Sequence, residues 1–135
     1  MNKLKGKIVR LESSDVMSIV EVDVKVDIFS AIVLETPQSA DYLKIGREVS
    51  LLFKETEVSI AKNLSGLISL RNRFKAMIKK LEQEKILMKI ILDYQGVEII
   101  SIISTGSAQR LDLKQDDEVE WLVKTNEISL SSNVE

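Results

Sequence analysis

Apolar and polar residues alternate along several short stretches of the chain. Between Val20 and Val26 the alternation is strict and the apolar members are β-branched, which is typical of a half-buried β-strand. Four more short segments are predicted as strands, at 7–11, 28–34, 48–53 and 58–60. Thr36 followed by Pro37 predicts a short helix that Thr36 caps. Five short strands with a helical turn between the third and the fourth are typical of a small closed barrel of the oligonucleotide/oligosaccharide-binding (OB) type.

The second half of the chain repeats the first. Residues 2–60 correspond to residues 72–130 with a constant shift of 70 positions, and about a quarter of the aligned pairs are identical. Two of the identical pairs are Asn2 with Asn72 and Lys54 with Lys124. A chance repeat would not keep its register over this length, so we interpret the sequence as a tandem duplication. It divides the chain into a first repeat at 1–61, a linker at 62–69 and a second repeat at 70–135.

One segment of the second repeat is ambiguous by itself. Residues 72–91 are rich in helix-favouring residues with apolar side chains at helical spacing, so local propensity favours a helix as much as a strand. The matching part of the first repeat contains Gly6 and the alternating valines, which make a poor helix, and the repeat therefore predicts strands. These strands are 71–81, 86–94, 97–103, 118–124 and 128–130, with a helical turn from Ser104 or Gly106 to Leu111. The predicted fold is all-β, with two tandem OB-like five-stranded small barrels, each with a short helical turn between strands three and four.

Each repeat is small for an independent domain. About 60 residues bury only a marginal core, so we expect the two repeats to pack on each other or on a second chain. The linker contains the apolar residues Leu64, Leu67 and Ile68 and is predicted to be packed.

Composition narrows the range of functions. The chain of 135 residues has 19 Lys and Arg against 21 Asp and Glu, so its net charge of −2 gives no general attraction to nucleic acid or to anionic membranes. It has no Cys and no His, which removes thiolate metal sites and the commonest metal ligand and general base. We therefore expect a protein that is not an enzyme. No segment has the character of a signal peptide or a membrane span, and we expect a cytoplasmic location with no membrane partner.

Three short motifs occur in order in the second repeat. They are Ser69-Leu70-Arg71-Asn72, then Ile103-Ser104-Thr105-Gly106-Ser107 continuing to Arg110-Leu111, and finally Leu122-Val123-Lys124. In this order and within a tandem repeat, they resemble the motifs of the molybdate-binding Mop or TOBE domains, which occur in molbindins and in the ligand-sensing half of the molybdate-responsive transcriptional regulator. Two positions depart from the family motif, because Leu70 replaces Ala and Ala76 replaces Gly.

The resemblance implies a site for a tetrahedral oxyanion, molybdate or tungstate, used in storage, homeostasis or sensing. The implied ligand-binding residues are Ser69, Leu70, Arg71, Ser104, Ser107 and Lys124. A dianion needs converging donors and compensating positive charge, which two cationic side chains and the serine hydroxyls would provide. In the first repeat, Leu34 and Pro37 stand where Ser104 and Ser107 stand, and Lys54 alone is retained. On the simpler interpretation, Ser104 and Ser107 only cap a helix. Arg71 and Lys124 would then be ordinary solvent-exposed charges at the ends of strands.

The resemblance also implies self-association, with the anion held between subunits. We expect a homodimer, with a trimer or a hexamer as alternatives. In this arrangement Ser69 and Arg71 of one chain meet Ser104, Ser107 and Lys124 of another.

Two other functions stay open from the sequence. A barrel of this type can bind single-stranded nucleic acid, and basic residues cluster in the second repeat at Arg71, Arg73, Lys75, Lys79, Lys80, Lys85 and Lys89. Such binding relies on stacking aromatic side chains, of which the chain has three Phe, two Tyr and one Trp. We therefore do not expect a nucleic-acid partner. The third option is a regulatory interaction module that has lost the anion site.

Overall fold

A computed structural model of the chain describes residues 1–134, and nearly all of its regular structure is β. The strands of the first repeat are β1 (Asn2–Ser13), β2 (Ser18–Val24), β3 (Asp27–Val33), β4 (Glu48–Phe53) and β5 (Ser59–Ala61). Those of the second are β6 (Asn72–Gln83), β7 (Leu87–Tyr94), β8 (Val97–Ser104), β9 (Glu118–Val123) and β10 (Ser129–Ser131), with helix α1 (Thr105–Arg110) after β8. Short 3-10 turns, Glu55–Glu57 and Thr125–Glu127, precede β5 and β10. The interpretation of residues 72–91 as strands is confirmed.

The strands form two antiparallel five-stranded sheets, each curled into a half-open barrel. One sheet has the order β10-β4-β1-β2-β3 and the other the order β5-β9-β6-β7-β8. The long strands β1 and β6 each pair with two neighbours and contain a bulge, between Ile8 and Arg10 in β1 and between Ile78 and Lys80 in β6. A bulge bends a strand and increases its twist, which allows the sheet to curl. The predicted fold of two tandem OB-like barrels is confirmed.

The closing strands are exchanged between the repeats. β5, from the first repeat, pairs with β9, so that Ile60 lies opposite Trp121. β10, from the second repeat, pairs with β4, so that Leu130 lies opposite Leu51. The sequence assigned each closing strand to its own repeat, whereas the structure places each in the other sheet. Neither sheet is therefore complete without residues from both repeats.

The two barrels share one hydrophobic core. Five buried aromatic side chains, Phe29, Phe53, Phe74, Tyr94 and Trp121, form a continuous cluster across the two repeats. The Phe29 and Phe74 rings, one from each repeat, stack with their centroids 4.0 Å apart. Phe53 and Trp121 stack at 5.7 Å. The expectation that each repeat packs on the other is confirmed.

Two asparagines hold the repeats together at equivalent positions. The Asn2 amide donates to Ile100 O and accepts from Ile100 N–H, both at 2.8 Å. The Asn72 amide makes the same two bonds with Ser30, also at 2.8 Å. Ser30 and Ile100 lie in β3 and β8, which are edge strands. Each asparagine thus satisfies backbone groups that an edge strand would otherwise leave exposed to pairing with another chain.

The helix predicted at Thr36 is absent in the first repeat. The segment forms turns instead, with the Ala40 N–H bonded to Thr36 O at 2.9 Å. In the second repeat, the Ser104 side chain caps α1 by accepting a hydrogen bond from the Ser107 N–H. Ser104 and Ser107 correspond to Leu34 and Pro37 of the first repeat. Leu34 has no oxygen to accept such a bond and Pro37 has no N–H to donate it, so the helix is not capped there.

Two of the three apolar side chains of the linker are exposed to solvent. Leu67 is fully exposed and Ile68 is 45% exposed. The linker is held by polar contacts instead, because the Arg73 guanidinium donates to Leu64 O at 2.8 Å and to Gly66 O at 3.3 Å. Gly66 has a φ of +88°, which a residue with a side chain rarely adopts, so the chain turns sharply here. Leu64 is half-buried, and the packing of the whole linker stays a prediction.

Candidate functional site

Arg71 and Lys124 lie side by side at one end of the second sheet. Asn72, the first residue of β6, lies opposite Val123, the last residue of β9. Arg71 precedes this pair on one strand and Lys124 follows it on the other, so the two cations flank the end of the ladder. Both residues are exposed to solvent. The β6–β9 register therefore places the two predicted cationic residues next to the same end of the ladder.

Asn72 fixes the backbone that carries these cations. In addition to its bonds with Ser30, the Asn72 Nδ2 donates to Val123 O at 3.0 Å. The Asn72 side chain is fully buried. One amide thus joins the start of β6, the end of β9 and the edge of β3, and the positions of Arg71 and Lys124 depend on it.

Ser69 and Leu70 lie at the end of the linker, directly before Arg71. Ser69 is exposed and Leu70 is half-buried. Ser69 is therefore on the surface, two residues before Arg71 in the chain, and its role as a ligand donor stays a prediction.

Ser104 and Ser107 form the cap of α1. The Ser107 N–H donates to Ser104 Oγ at 3.1 Å, and the Ser104 hydroxyl and Ser107 Oγ are 2.8 Å apart. Thr105 anchors this cap to the β6–β7 hairpin, because its N–H donates to Ile86 O at 2.8 Å and its hydroxyl donates to Glu84 O at 2.7 Å. The two hydroxyls are thus held on a rigid part of the barrel edge.

The hydroxyls and the cations are separated within one chain. Ser104 lies opposite Leu87, at the hairpin end of the sheet, whereas Arg71 precedes the other end of β6. The resemblance places Lys124 with the serines in one half of the site, whereas the structure places it at the same end of the ladder as Arg71. The serine side of the barrel instead faces the 3-10 turn that follows Lys54, since this turn packs against β8. The exchange of closing segments between the repeats is the physical reason for this regrouping.

A carboxylate that the motifs did not indicate lies beside Arg71. Glu21, in β2 of the first repeat, accepts a hydrogen bond from Arg10 Nη1 at 2.9 Å and has its Oε2 3.8 Å from Arg71 Nη2. The Glu21 side chain is 18% exposed and that of Arg71 is 58% exposed. Nothing in the local sequence signals this contact, because it arises from the packing of one repeat against the other.

Arg73 is committed to a structural role. Its Nε and Nη2 bond the two oxygens of Glu120 at 2.6 Å and 3.0 Å. The hydrogen bond from Arg73 lowers the pKa of the Glu120 carboxyl. Because the remaining Arg73 donors hold the linker carbonyls, this guanidinium is not available for a ligand.

The described residues contain no exposed aromatic surface, no candidate metal cluster and no membrane-length helix. The aromatic side chains are buried in the shared core except Tyr42, which is half-buried and bonded to Glu35. No group of three or more acidic, Cys or His residues within 1–134 is arranged to hold a metal ion. No helix in that range is long and apolar enough to cross a membrane. Because the aromatic side chains within residues 1–134 are buried or half-buried, these residues lack the exposed stacking surface on which single-stranded nucleic-acid binding relies.

Two OB-like barrels with a shared core and exchanged closing strands define a tandem OB-like domain protein. The chain belongs to the TOBE domain family, whose model matches residues 1–60 and 68–130. The family resemblance predicted from the motifs is therefore confirmed.

Two solved structures are similar to the chain. One is the cytoplasmic molybdate-binding protein ModG with molybdate bound, which is 27% identical with a TM-score of 0.90 over 96% of this chain and 94% of that chain. The other is a molybdate-binding protein from Sporomusa ovata, 37% identical over 44% of this chain and 88% of that chain, with a TM-score of 0.43. No curated protein matches the sequence.

Proposed function

We propose that the protein binds a tetrahedral oxyanion, molybdate or tungstate, without catalysing its conversion. The observation that carries this proposal is the adjacency of Arg71 and Lys124 at the end of the β6–β9 ladder. Two adjacent cationic residues match the charge of a dianion, and their exposure leaves them accessible to a ligand. The likeness to ModG, which binds molybdate, supports the same assignment.

The donors complement the two cations. Arg71 offers a planar fork and Lys124 a compact ammonium, which suit different faces of a tetrahedral anion. Ser69 can add a hydroxyl from the same side. Hydrogen bonds between charged donors and an anion are about twice as strong as neutral ones, so the cations would contribute most of the affinity.

We further propose that the site is shared between copies of the chain. Ser104 and Ser107 do not lie with Arg71 and Lys124 in one chain, so a ligand that contacts all four needs a second subunit. The exposed side chains of Leu67 and Ile68, next to Ser69, offer an apolar surface for such contact. A homodimer is the simplest assembly, and a trimer or hexamer would serve equally.

Calorimetric titration with molybdate, tungstate and sulfate tests the proposed ligand class. We expect binding of the first two and a much weaker response to sulfate. Arg71→Ala should abolish most of the affinity, whereas Arg47→Ala, a matched change at an exposed arginine of the first repeat, should leave it unchanged. If neither oxometallate produces heat or raises the melting temperature of the wild-type protein, the proposal is wrong.

A mixing experiment tests the shared site. Arg71→Ala and Ser107→Ala chains each lose one side of the site, so each alone should bind weakly. In a mixed assembly some interfaces pair the intact Arg71 of one chain with the intact Ser107 of the other, and binding should partly return. If the mixture binds no better than its components, the site lies within single chains.

A further inference from the structure

Glu21 occupies an unusual place for an acidic residue, at the edge of the candidate site for an anion. In β2 it lies opposite Arg10 on one side and Ser30 on the other. Ser30 is bonded on both its N–H and its carbonyl to Asn72, the residue that follows Arg71. The backbone between Glu21 and Arg71 is therefore tied together by buried hydrogen bonds, and their proximity is built into the packing of the two repeats.

The two arginines around Glu21 are held differently. Arg10 makes a true hydrogen bond to Oε2 at 2.9 Å, whereas Arg71 approaches the same oxygen only to 3.8 Å. The Glu21 side chain is 18% exposed, whereas those of Arg10 and Arg71 are 61% and 58% exposed, so distance and not burial distinguishes the two arginines. The carboxylate is thus the fixed partner, Arg10 its close counterion, and Arg71 the loosely held one that can turn to another anion.

We propose that Glu21 sets the affinity of the site by competing with the oxyanion for Arg71. This inference rests on the proposed function. A bound oxyanion must take Arg71 away from Glu21 and then stay near a carboxylate of like charge, and both effects weaken binding. Arg10 moderates the competition, because it neutralises part of the charge on Glu21.

Competition by Glu21 should affect a dianion and a monoanion to different extents, which can be measured. Repulsion from one carboxylate is about twice as large for a dianion as for a monoanion at the same distance. Molybdate and perrhenate are both tetrahedral oxometallates, but perrhenate carries a single charge. Removing the Glu21 charge should therefore strengthen molybdate binding more than perrhenate binding.

The test measures the dissociation constants of both anions for Glu21→Gln, Arg10→Gln and the double variant. From the typical strength of exposed ion pairs, we expect Glu21→Gln to bind molybdate about 1.5- to 5-fold more tightly. Arg10→Gln should bind it more weakly, because Glu21 then holds Arg71 alone. In the Glu21→Gln background, the Arg10 change should have no further effect. Glu12→Gln removes the same charge from an exposed position of β1 and serves as the control.

Three results would overturn the inference. If Glu21→Gln leaves the affinity unchanged, Glu21 does not compete; if it weakens binding, Glu21 instead holds Arg71 in its binding position. If Arg10→Gln has an equal effect with and without Glu21, the residues act only through long-range charge. Absence of molybdate binding by the wild-type protein would instead refute the proposed function itself.

A second substitution at Glu21 keeps the inference testable if Glu21→Gln does not fold. Ile91 stands at the position in β7 that Glu21 has in β2, so an apolar branched residue fits this type of strand site. Glu21→Ile should show the same tightening as Glu21→Gln, with a melting temperature that confirms folding. A folded Glu21→Ile protein with wild-type affinity for molybdate would count against the competition.

Discussion

Replacing Asn72 with alanine should destabilise the fold far more than its single amide suggests. The side chain is fully buried and makes three hydrogen bonds, two with Ser30 at 2.8 Å and one with Val123 O at 3.0 Å. Truncation leaves the Ser30 N–H, the Ser30 carbonyl and the Val123 carbonyl without this partner. Each buried group left unsatisfied costs about 1–3 kcal/mol. Since water can enter the space that alanine vacates, we expect a total loss of about 3–5 kcal/mol.

This prediction has internal comparisons. Asn2 makes two of the equivalent bonds, with Ile100, so Asn2→Ala should lose less, about 2–3 kcal/mol. Asn126 is exposed, and Asn126→Ala should change stability by less than about 0.5 kcal/mol. The assay is urea unfolding followed by Trp121 fluorescence at one fixed protein concentration, because self-association would make stability depend on concentration. An Asn72→Ala protein as stable as Asn126→Ala would refute the reasoning.

Two further predictions concern packing and pH. Gly6→Ala would place a Cβ 2.5 Å from Val22 Cγ1, so unfolding assays should show a loss of about 1–3 kcal/mol, whereas Gly106→Ala, with nothing within 4 Å in α1, should be neutral or stabilising. The pKa of Glu120 is lowered in the folded state by its hydrogen bond with Arg73. This bond therefore stabilises the fold at pH values above the unfolded-state pKa of glutamate, about 4.3, and the stabilisation is lost as the pH falls through the lower folded-state pKa. Glu120→Gln should therefore reduce the dependence of unfolding free energy on pH below about 4.3; an unchanged slope would contradict this.

The fold could be predicted because the repeat resolves what local propensity leaves ambiguous. Residues 72–91 alone fit a helix, but their match to 2–21 predicts two strands, and the structure pairs β6 with both β7 and β9. Tertiary pairing overrides local propensity here, since a long central strand gains hydrogen bonds along both edges. The helix predicted from Thr36 and Pro37 is absent, because Leu34 and Pro37 offer neither the oxygen nor the N–H that cap α1 in the second repeat.

The site was less predictable from the sequence. The motifs indicated Arg71 and Lys124 as separate positions, but their adjacency depends on the β6–β9 register. Glu21 could not be found, because its contact with Arg71 needs the two repeats to be packed in one particular way. Periodicity describes which face of a strand is buried, and it does not specify which strand of another repeat lies next to it.

The exchanged closing strands make the first repeat part of any site on the second. Lys124 is followed by the 3-10 turn that packs against β3, and β10 then continues into the sheet of the first repeat. Arg71 is held from the other side by Asn72 on Ser30 and by the charge of Glu21. The first repeat has Leu34 and Pro37 at the motif's serine positions, yet it contacts the two segments that carry Arg71 and Lys124. The two repeats are therefore unequal in chemistry but inseparable in structure, and a change in β2 or β3 should alter binding even though neither strand carries a motif residue.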